Sequence, residues 1–205
     1  METDDVELRA LGETDIPQVV ATHLAAFPGF FMSLLGAGFL REFYDALRQD
    51  PAGITVVAAS TGRVVGFASG ASDSRGFYRH LFRRRLFPLM AALLRPCLQH
   101  PGMTLRVIWR AIAGMSSSSA GDRQDGAELM SVAVTPGFQR HGLGRLLVGR
   151  FIEEARRRGV ERIRLTTDAS SNDGVNAFYK MLGFTVTKNF ITREGRTLNE
   201  YRLHL

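Results

Sequence analysis

The stretch from Thr135 to Gly159, TPGFQRHGLGRLLVGRFIEEARRRG, places two glycines at the start of an amphipathic helix. Helices usually begin at Ser, Thr, Asp or Asn, whose side chain accepts a hydrogen bond from an amide of the first turn. No such residue lies between Gln139 and Gly144. The first amides of this helix are therefore available to a ligand, and their orientation and the helix dipole both favour an anion.

Two common phosphate-binding motifs do not fit this loop. The dinucleotide-binding fingerprint needs a third glycine within a parallel crossover unit, and Arg145 to Val148 does not supply it. The P-loop ends in Gly-Lys-Ser or Gly-Lys-Thr, which is absent here. The surrounding elements must therefore decide which class of anion site the loop forms.

Patterns of apolar residues and turn residues predict the order of elements along the chain. The predicted strands are Val6–Leu11, Ile54–Ala59, Val64–Ala71, Glu128–Val134, Glu161–Thr167, Phe184–Ile191 and Thr197–Leu205. The predicted helices run from Thr14 to about Phe27, from Ser33 to Gln49, from the glycine loop to Arg158, and from Gly174 to Leu182. This order predicts an α/β fold with a single mixed central sheet and helices on both faces.

Residues 73–126 interrupt this pattern between the third and fourth strands. They contain nine Arg and three Asp, so they carry the whole net charge of +6, and the rest of the chain is neutral. Apolar residues recur at helical spacing among the arginines, which predicts a helical insertion broken at Pro96 and Pro101. Three roles stay open: contact with an anionic acceptor such as a nucleotide-linked amino sugar, an interfacial helix on an anionic membrane, and a solvated helical hairpin.

Length and composition limit the class of protein. The 205 residues, of which 45% are hydrophobic and 22% charged, fit one globular domain spanning 1–205. The single Cys97 excludes an internal disulfide framework and fits a reducing compartment. The start of the chain is acidic rather than signal-like, and no segment has about 18 uninterrupted apolar residues. We therefore expect a cytoplasmic protein.

Three features together resemble the GNAT superfamily of acetyl-CoA-dependent N-acetyltransferases. Gln139, Gly142 and Gly144 match its Arg/Gln-x-x-Gly-x-Gly/Ala motif. The strand Glu128–Val134 precedes the loop, and NDGVNAFYKMLGF (Asn172 to Phe184) follows the next strand. The resemblance covers residues 1–72 and 127–205. It implies transfer of an acetyl group from acetyl-CoA to a primary amine, without a metal.

The resemblance also implies a cofactor site. The strand before the loop separates from its neighbour in such proteins, and its residues Val132, Ala133 and Val134 offer backbone groups to the pantetheine amides. The pyrophosphate is cradled by the amides of Arg140, His141, Gly142, Leu143, Gly144 and Arg145, with Gln139 in the motif. Arg140 and Arg145 add positive charge or simply solvate the helix start. Asn172 contacts the pantetheine arm or caps the following helix, and Phe178 lies beside this site.

The resemblance assigns two catalytic residues. Tyr179 protonates the departing thiolate, unless it is an aromatic residue packed beside Phe178. Glu128, fourteen residues before Gly142, is the general base, unless it is an ion-paired strand residue. The oxyanion donor is a backbone N–H near Val134. Weaker candidates for the base are His23, Asp168, Tyr201 and an ordered water, and Cys97 is expected in the core.

The acceptor is less defined than the cofactor. In this family it binds near the loop between the first two helices, here Phe27 to Gly38, and near the last hairpin. Four apolar side chains in that loop favour an acceptor with an apolar or sugar-ring face. A non-catalytic acyl-CoA-binding or membrane-docked protein is the alternative. Nucleic-acid binding is not expected despite a pI of 10.2, because no recognised motif accompanies the arginines.

Overall fold

The computed structural model describes residues 6–99, 126–192 and 195–205, and for residues 95–99 it describes the backbone alone. Seven strands form one sheet in the order β1-β2-β3-β4-β5-β7-β6. They are β1 Val6–Ala10, β2 Gly53–Ser60, β3 Arg63–Ala71, β4 Ala127–Val134, β5 Arg162–Asp168, β6 Thr185–Ile191 and β7 Thr197–His204. The β4–β5 pair is parallel and the other neighbouring pairs are antiparallel. The predicted mixed sheet is confirmed.

Six α-helices accompany these strands in the described residues. They are α1 Ile16–Ala26, α2 Phe31–Leu34, α3 Gly36–Gln49, α4 Ser74–Gln99, α5 Leu143–Arg157 and α6 Asp173–Met181. The single helix predicted over Ser33–Gln49 is divided into α2 and α3. Gly36, the first residue of α3, has a φ of 86°, which departs from regular helix geometry, so the helix is interrupted between Leu34 and Gly36.

The predicted break at Pro96 is wrong, because α4 runs without interruption from Ser74 to Gln99. A proline removes one hydrogen bond from the helix ladder, and a long helix packed along one side tolerates this loss. The inner side of α4 packs in the core through the buried side chains of Phe77, Leu81 and Leu89. The predicted break at Pro101 and the serine-rich loop 116–126 lie outside the described residues, apart from Gly126.

The core has two halves, one on each face of the sheet. On one face α1, α3 and α4 pack against the sheet around residues that include Tyr44, Phe67 and Phe77. On the other face α5 and α6 pack around residues that include Phe151 and Tyr201. Burial of these aromatic side chains contributes about 25 cal/mol per Å² of apolar surface removed from water. The helices on both faces match the predicted layers. Among the described helices, none is long and apolar enough to cross a membrane.

The two central strands separate after a short pairing. Strand β4 pairs with β3 from Glu128 to Val134, but with β5 at two positions within the described strands, Ala127↔Ile163 and Glu128↔Arg164. Beyond these pairs the two parallel strands diverge toward their carboxyl ends. We call the opening between residues 129–134 and 165–168 the β4–β5 cleft. It is the divergence that the resemblance predicts.

Strand β4 also carries a bulge that the sequence did not predict. Ser69 pairs with Ser131 and Gly70 with Leu129, so Met130 is an extra residue in β4. A Cβ atom at Gly70 would lie 1.9 Å from the Glu128 carbonyl oxygen and 2.9 Å from the Phe151 ring. Glycine is therefore needed where β3 and β4 approach each other below the bulge.

Candidate active site

The glycine loop ends in an uncapped helix start. Gly142 is the N-cap residue of α5, with a φ of 79°, and no side chain caps the helix. The first amides of α5, at Leu143, Gly144 and Arg145, have no acceptor within the helix. Leu143 buries its side chain in the core, whereas the side chains of Arg140 and Arg145 are exposed. The loop is thereby anchored in the core, while its basic side chains are exposed and the first amides of α5 have no acceptor within the helix, as an anion site requires.

Gln139 connects the loop to the end of β4. Its Nε2 donates a hydrogen bond to the Val134 carbonyl oxygen at 2.9 Å. This contact fixes the last residue of β4 relative to the helix start that follows it. Gln139 therefore positions the loop, and exposed His141 extends from the same turn.

The cleft-facing edge of β4 lacks a strand partner over the residues assigned to pantetheine. Val132 and Val134 are half-buried and pack toward α5, while Ala133 is buried on the opposite face. Their backbone groups on the β3 side belong to the sheet. On the β5 side, the described residues offer no strand to pair with them, although the Val134 carbonyl oxygen accepts a hydrogen bond from Gln139 Nε2. The remaining backbone groups on this side can bind an extended amide-bearing ligand.

Tyr179 combines a packed ring with an unpaired hydroxyl. The ring lies 5.1 Å from Phe178, 5.7 Å from Phe184 and 6.0 Å from Tyr201, measured between ring centroids. The side chain is 8% exposed, and this burial raises the pKa of Tyr179 to about 12. Its hydroxyl makes no hydrogen bond within the described part of the chain. Tyr179 is thus a protonated donor at neutral pH, available to a ligand.

Glu128 occupies the last rung before the strands separate. Its Oε2 accepts a hydrogen bond from Arg164 Nη2 at 2.6 Å, and Arg164 Nη2 also donates to Ser74 Oγ at 3.3 Å. Both members of the ion pair are about one-quarter exposed. Its charge helps to raise the pKa of buried Tyr78 in α4, although burial is the larger cause. Glu128 therefore lies on the α4 face of the sheet, and Tyr179 on the opposite face.

Asn172 occupies the N-cap position of α6, but its side chain makes no capping hydrogen bond. Its Nδ2 instead donates to Thr167 Oγ1 at 2.7 Å, beside the end of β5. This contact leaves Oδ1 without a donor among the described residues. Phe178 lies farther along α6, and its ring would be 3.6 Å from a Cβ atom placed on Gly144. Phe178 thus closes the space between α6 and the start of α5.

Asn176 is a buried residue of this region that the sequence analysis missed. Its Nδ2 donates to the carbonyls of Asp168 and Asn172 at 3.0 and 2.9 Å. Its Oδ1 accepts hydrogen bonds from Asn199 and Tyr201 at 3.1 and 2.8 Å. Its spacing is the sequence signal that could have identified it: Asn176 precedes Tyr179 by three residues and so lies on the same face of an amphipathic helix. It fixes α6 against β5 and β7 and so orients Tyr179.

The weaker candidates for the base are each held in other contacts. His23 is buried, with Nδ1 2.7 Å from Tyr44 Oη, and burial lowers the pKa of His23 to about 4. Asp168 accepts hydrogen bonds from two nitrogens of Arg196. The Tyr201 hydroxyl donates within the buried network just described. The side chain of Cys97 lies outside the described residues. Among those residues there is no group of three or more metal-ligating side chains.

Residues 22–184 match the model of the acetyltransferase (GNAT) family. The chain belongs to this family. Its motif residues, its diverging strands and its helix order agree with that membership.

Two curated relatives match this GNAT chain over different lengths. The [ribosomal protein bS18]-alanine N-acetyltransferase of Escherichia coli K12 is 42% identical over 76 residues, which are 35% of this chain and 51% of that protein. The chain thus spans about half the length of the curated relatives that head the comparison. Serotonin N-acetyltransferase 2, chloroplastic, of Oryza sativa subsp. japonica is 30% identical over 147 residues, which are 68% of this chain and 65% of that protein.

Solved structures share the fold over nearly the whole chain. The putative acetyltransferase yncA of Salmonella typhimurium, solved with its cofactor acetyl-CoA, has a TM-score of 0.62 at 20% identity, covering 98% of this chain and 95% of that one. The Escherichia coli ribosomal-protein-S18-alanine N-acetyltransferase has a TM-score of 0.58 at 20% identity, covering 97% and 93%. At 20% sequence identity, the similarity to these two structures shows a shared fold and nothing about the substrate.

Proposed function

We propose that this protein transfers an acetyl group from acetyl-CoA directly to a primary amine bound in the β4–β5 cleft. The observation that carries the proposal is the joint placement of an uncapped helix start, an unpaired strand edge and a free tyrosine hydroxyl around one opening. The pyrophosphate binds the amides from Arg140 to Arg145, with charge from Arg140 and Arg145. The pantetheine amides pair with Val132–Val134 and with Asn172 Oδ1.

In this proposal Tyr179 is the general acid. The departing thiolate needs a proton, and a phenol whose pKa is raised to about 12 remains protonated throughout the physiological range. Tyr179 therefore does not limit the rate at alkaline pH below about 10. An N–H near Val134 stabilises the developing oxyanion.

Glu128 is the proposed general base. Its Oε2 is bonded to Arg164, while Oε1 has no partner within the described residues and can accept the proton of the amine, directly or through a water. Its location on the α4 face, opposite Tyr179, suits this division of roles. The amine then enters from one face of the cleft, while the thiolate leaves toward the other.

The acceptor is proposed as a small-molecule or peptide amine with an apolar or sugar-ring face. Phe27 and Phe30, whose ring centroids are 5.6 Å apart, form an apolar surface in the loop between α1 and α2. An anionic acceptor bound by the insertion is supported less well. Arg85 of the insertion already pairs with Glu42 and Asp45 of α3 at 3.2 and 3.0 Å.

A second proposal concerns the location of the protein: a cytoplasmic enzyme that contacts the membrane peripherally through the outer side of α4. Five large apolar side chains are exposed there, Phe82, Leu86, Phe87, Met90 and Leu94. Phe87 is 88% exposed, the highest value among them. Exposed Arg79, Arg83 and Arg84 lie beside these side chains, a combination typical of helices that bind anionic lipid surfaces.

The proposed activity is tested by release of free thiol from acetyl-CoA in the presence of an amine panel. The panel contains amino sugars, polyamines, amino acids and peptides with free N-termini. Amine-dependent release, with mass-spectrometric detection of the acetylated amine, is the expected result. Binding of acetyl-CoA without amine-dependent release across the panel would instead support the non-catalytic acyl-CoA-binding alternative.

A further inference from the structure

The side chain of Arg196 joins two segments that are far apart in the fold. Arg196 precedes β7, and Phe30 lies in the loop between α1 and α2. The guanidinium carbon lies 4.9 Å from the centroid of the Phe30 ring. The edge of the same guanidinium is bonded to the carboxylate of Asp168, through Nη2 at 2.9 and 2.8 Å and through Nε at 3.1 Å. One side chain thus contacts an aromatic ring with its face and a carboxylate with its edge.

These contacts connect the two parts of the divided sheet. Phe30 follows α1, which packs against β3 and β4. Asp168 is the last residue of β5, at the end where β5 has separated from β4. The contact from Phe30 to Arg196 to Asp168 therefore reaches across the wide end of the β4–β5 cleft.

The bridge lies on the side of the cleft away from the glycine loop. Phe27 and the helices α1 and α3 belong to one face of the sheet, whereas α5, which starts at the glycine loop, packs on the other face. A cofactor bound at the loop leaves the face with the bridge for the second substrate. The residues at this entrance are apolar on one side, because the Phe30 ring makes an edge-to-face contact with the Phe27 ring.

The charge at this entrance is balanced. The Asp168 carboxylate bonds to Nε and Nη2 of Arg196 and neutralises its charge, and the Phe30 ring covers one face of the guanidinium. A substrate carboxylate or phosphate that approached the remaining N–H donors would be repelled by the neighbouring Asp168 carboxylate and would lose hydration against the phenylalanine rings, and both are unfavourable.

We propose that Phe30, Arg196 and Asp168 form a bridge over the acceptor entrance that selects amines whose neighbouring group is uncharged and apolar. This inference rests on the proposed acetyltransferase function and names the acceptor class of that site. The three residues act on specificity: they determine which amine enters the cleft, and the chemical step uses other groups.

Three matched amines test the selection: phenethylamine, phenylalaninamide and phenylalanine. They share the aromatic group, and phenylalaninamide provides a neutral comparison for the anionic amino acid. We expect kcat/KM for phenylalaninamide to exceed that for phenylalanine by about tenfold or more. Asp168→Asn removes the negative charge that neutralises Arg196, and it is expected to narrow this ratio by raising kcat/KM for phenylalanine. Equal kcat/KM values for phenylalanine and phenylalaninamide would overturn the selection. Acetylation of other amines without acetylation of phenethylamine or phenylalaninamide would also overturn it.

Variants of two equally exposed phenylalanines test the bridge itself. Phe30→Leu keeps an apolar side chain but removes the ring under Arg196, and we expect KM for phenylalaninamide to rise about 2- to 5-fold with KM for acetyl-CoA unchanged. Phe82→Leu, at an equally exposed position on the outer side of α4, is the matched control and is expected to leave both values unchanged. Equal KM values for the parent and Phe30→Leu would contradict a role of the bridge in acceptor binding.

Limited trypsin digestion separates this inference from the proposed function. Cleavage after Arg196 is expected to be faster in Phe30→Leu than in the parent or in Phe82→Leu, because the bridge restrains Arg196. If the parent acetylates no amine, the proposed function fails and the selection fails with it, while the digestion still decides whether the bridge exists. Equal cleavage in all three proteins would overturn the bridge.

Discussion

Glu128 and Arg164 form an ion pair at the point where β4 and β5 cease to pair. The contact of 2.6 Å joins the side chains of two residues whose backbones are also partners across the strands. The residue proposed as the general base therefore also closes the narrow end of the β4–β5 cleft. One carboxylate oxygen maintains the geometry of the cleft, and the other is available to the amine.

Glu128→Gln tests the base. Loss of a general base typically costs about 10²- to 10⁴-fold in rate, and we expect turnover to fall within this range. The loss should shrink at high pH, where the amine increasingly arrives deprotonated. The measurement is a pH–rate profile with one working acceptor, and Glu42→Gln, which removes a carboxylate partner of Arg85, is the control of equal charge. A Glu128→Gln protein with the parent's rate and profile would make the glutamate structural and assign the base to water or another residue.

Gly144→Val tests the pyrophosphate site. A side chain at this first-turn position would occupy the space in front of the amides, so the affinity for acetyl-CoA should fall in a calorimetric titration. A Cβ atom at Gly144 makes ordinary contacts with Phe178, at 3.6 Å, whereas Gly142 has a positive φ that disfavours valine. Gly149→Val, at an open position of the same helix, is the control. Unchanged affinity in folded Gly144→Val would remove the pyrophosphate from this loop.

Much of this site could be predicted from the sequence, because its signals are local. The glycines of the loop and the alternating strand before it are contiguous, so short-range backbone preferences determine their structure. The parts that were missed depend on long-range contacts. The bulge at Met130 belongs to the pairing of β4 with β3, and the network of Asn176 joins α6 to a strand more than twenty residues later. The uninterrupted α4 likewise depends on its packing against the rest of the fold, which the positions of prolines in the sequence do not reveal.

His23 should make stability depend on pH. Burial lowers the pKa of His23 to about 4, whereas an unfolded histidine titrates near 6.5. Below about 6.5 the unfolded chain binds a proton that the folded protein excludes, so stability decreases as pH falls from about 6.5 to 4 and is constant above that range. The contribution is on the order of 2 to 3 kcal/mol.

The measurement is chemical unfolding between pH 4 and about 8 for the parent and for His23→Gln, whose side chain carries no titrating group. The difference in unfolding free energy between the two proteins should change across the acidic window. A constant difference would contradict the exclusion of the proton from the buried imidazole.

The outer side of α4 is tested with anionic vesicles at low salt. Sedimentation of the parent with the vesicles should weaken in the double variant Arg83→Gln/Arg84→Gln and should weaken with added salt. Arg85→Gln is the comparison, because Arg85 is paired with Glu42 and Asp45 and should contribute little to lipid binding. Absence of vesicle binding by the parent at low salt would remove the membrane contact and leave acceptor contact or a solvated helix.

The most direct test of the proposed chemistry is Tyr179→Phe. The substitution removes one hydroxyl and keeps a ring that packs against Phe178 and Phe184. Tyr201→Phe removes a hydroxyl that is bonded to Asn176, so it controls for the loss of a buried phenol without loss of the acid. Acetyl-CoA affinity by calorimetry and amine-dependent thiol release are measured on the same three proteins. We predict that Tyr179→Phe binds acetyl-CoA as the parent does while turnover falls about 10²- to 10⁴-fold, with no rescue at high pH. Turnover equal to that of the parent at equal acetyl-CoA occupancy would contradict the account.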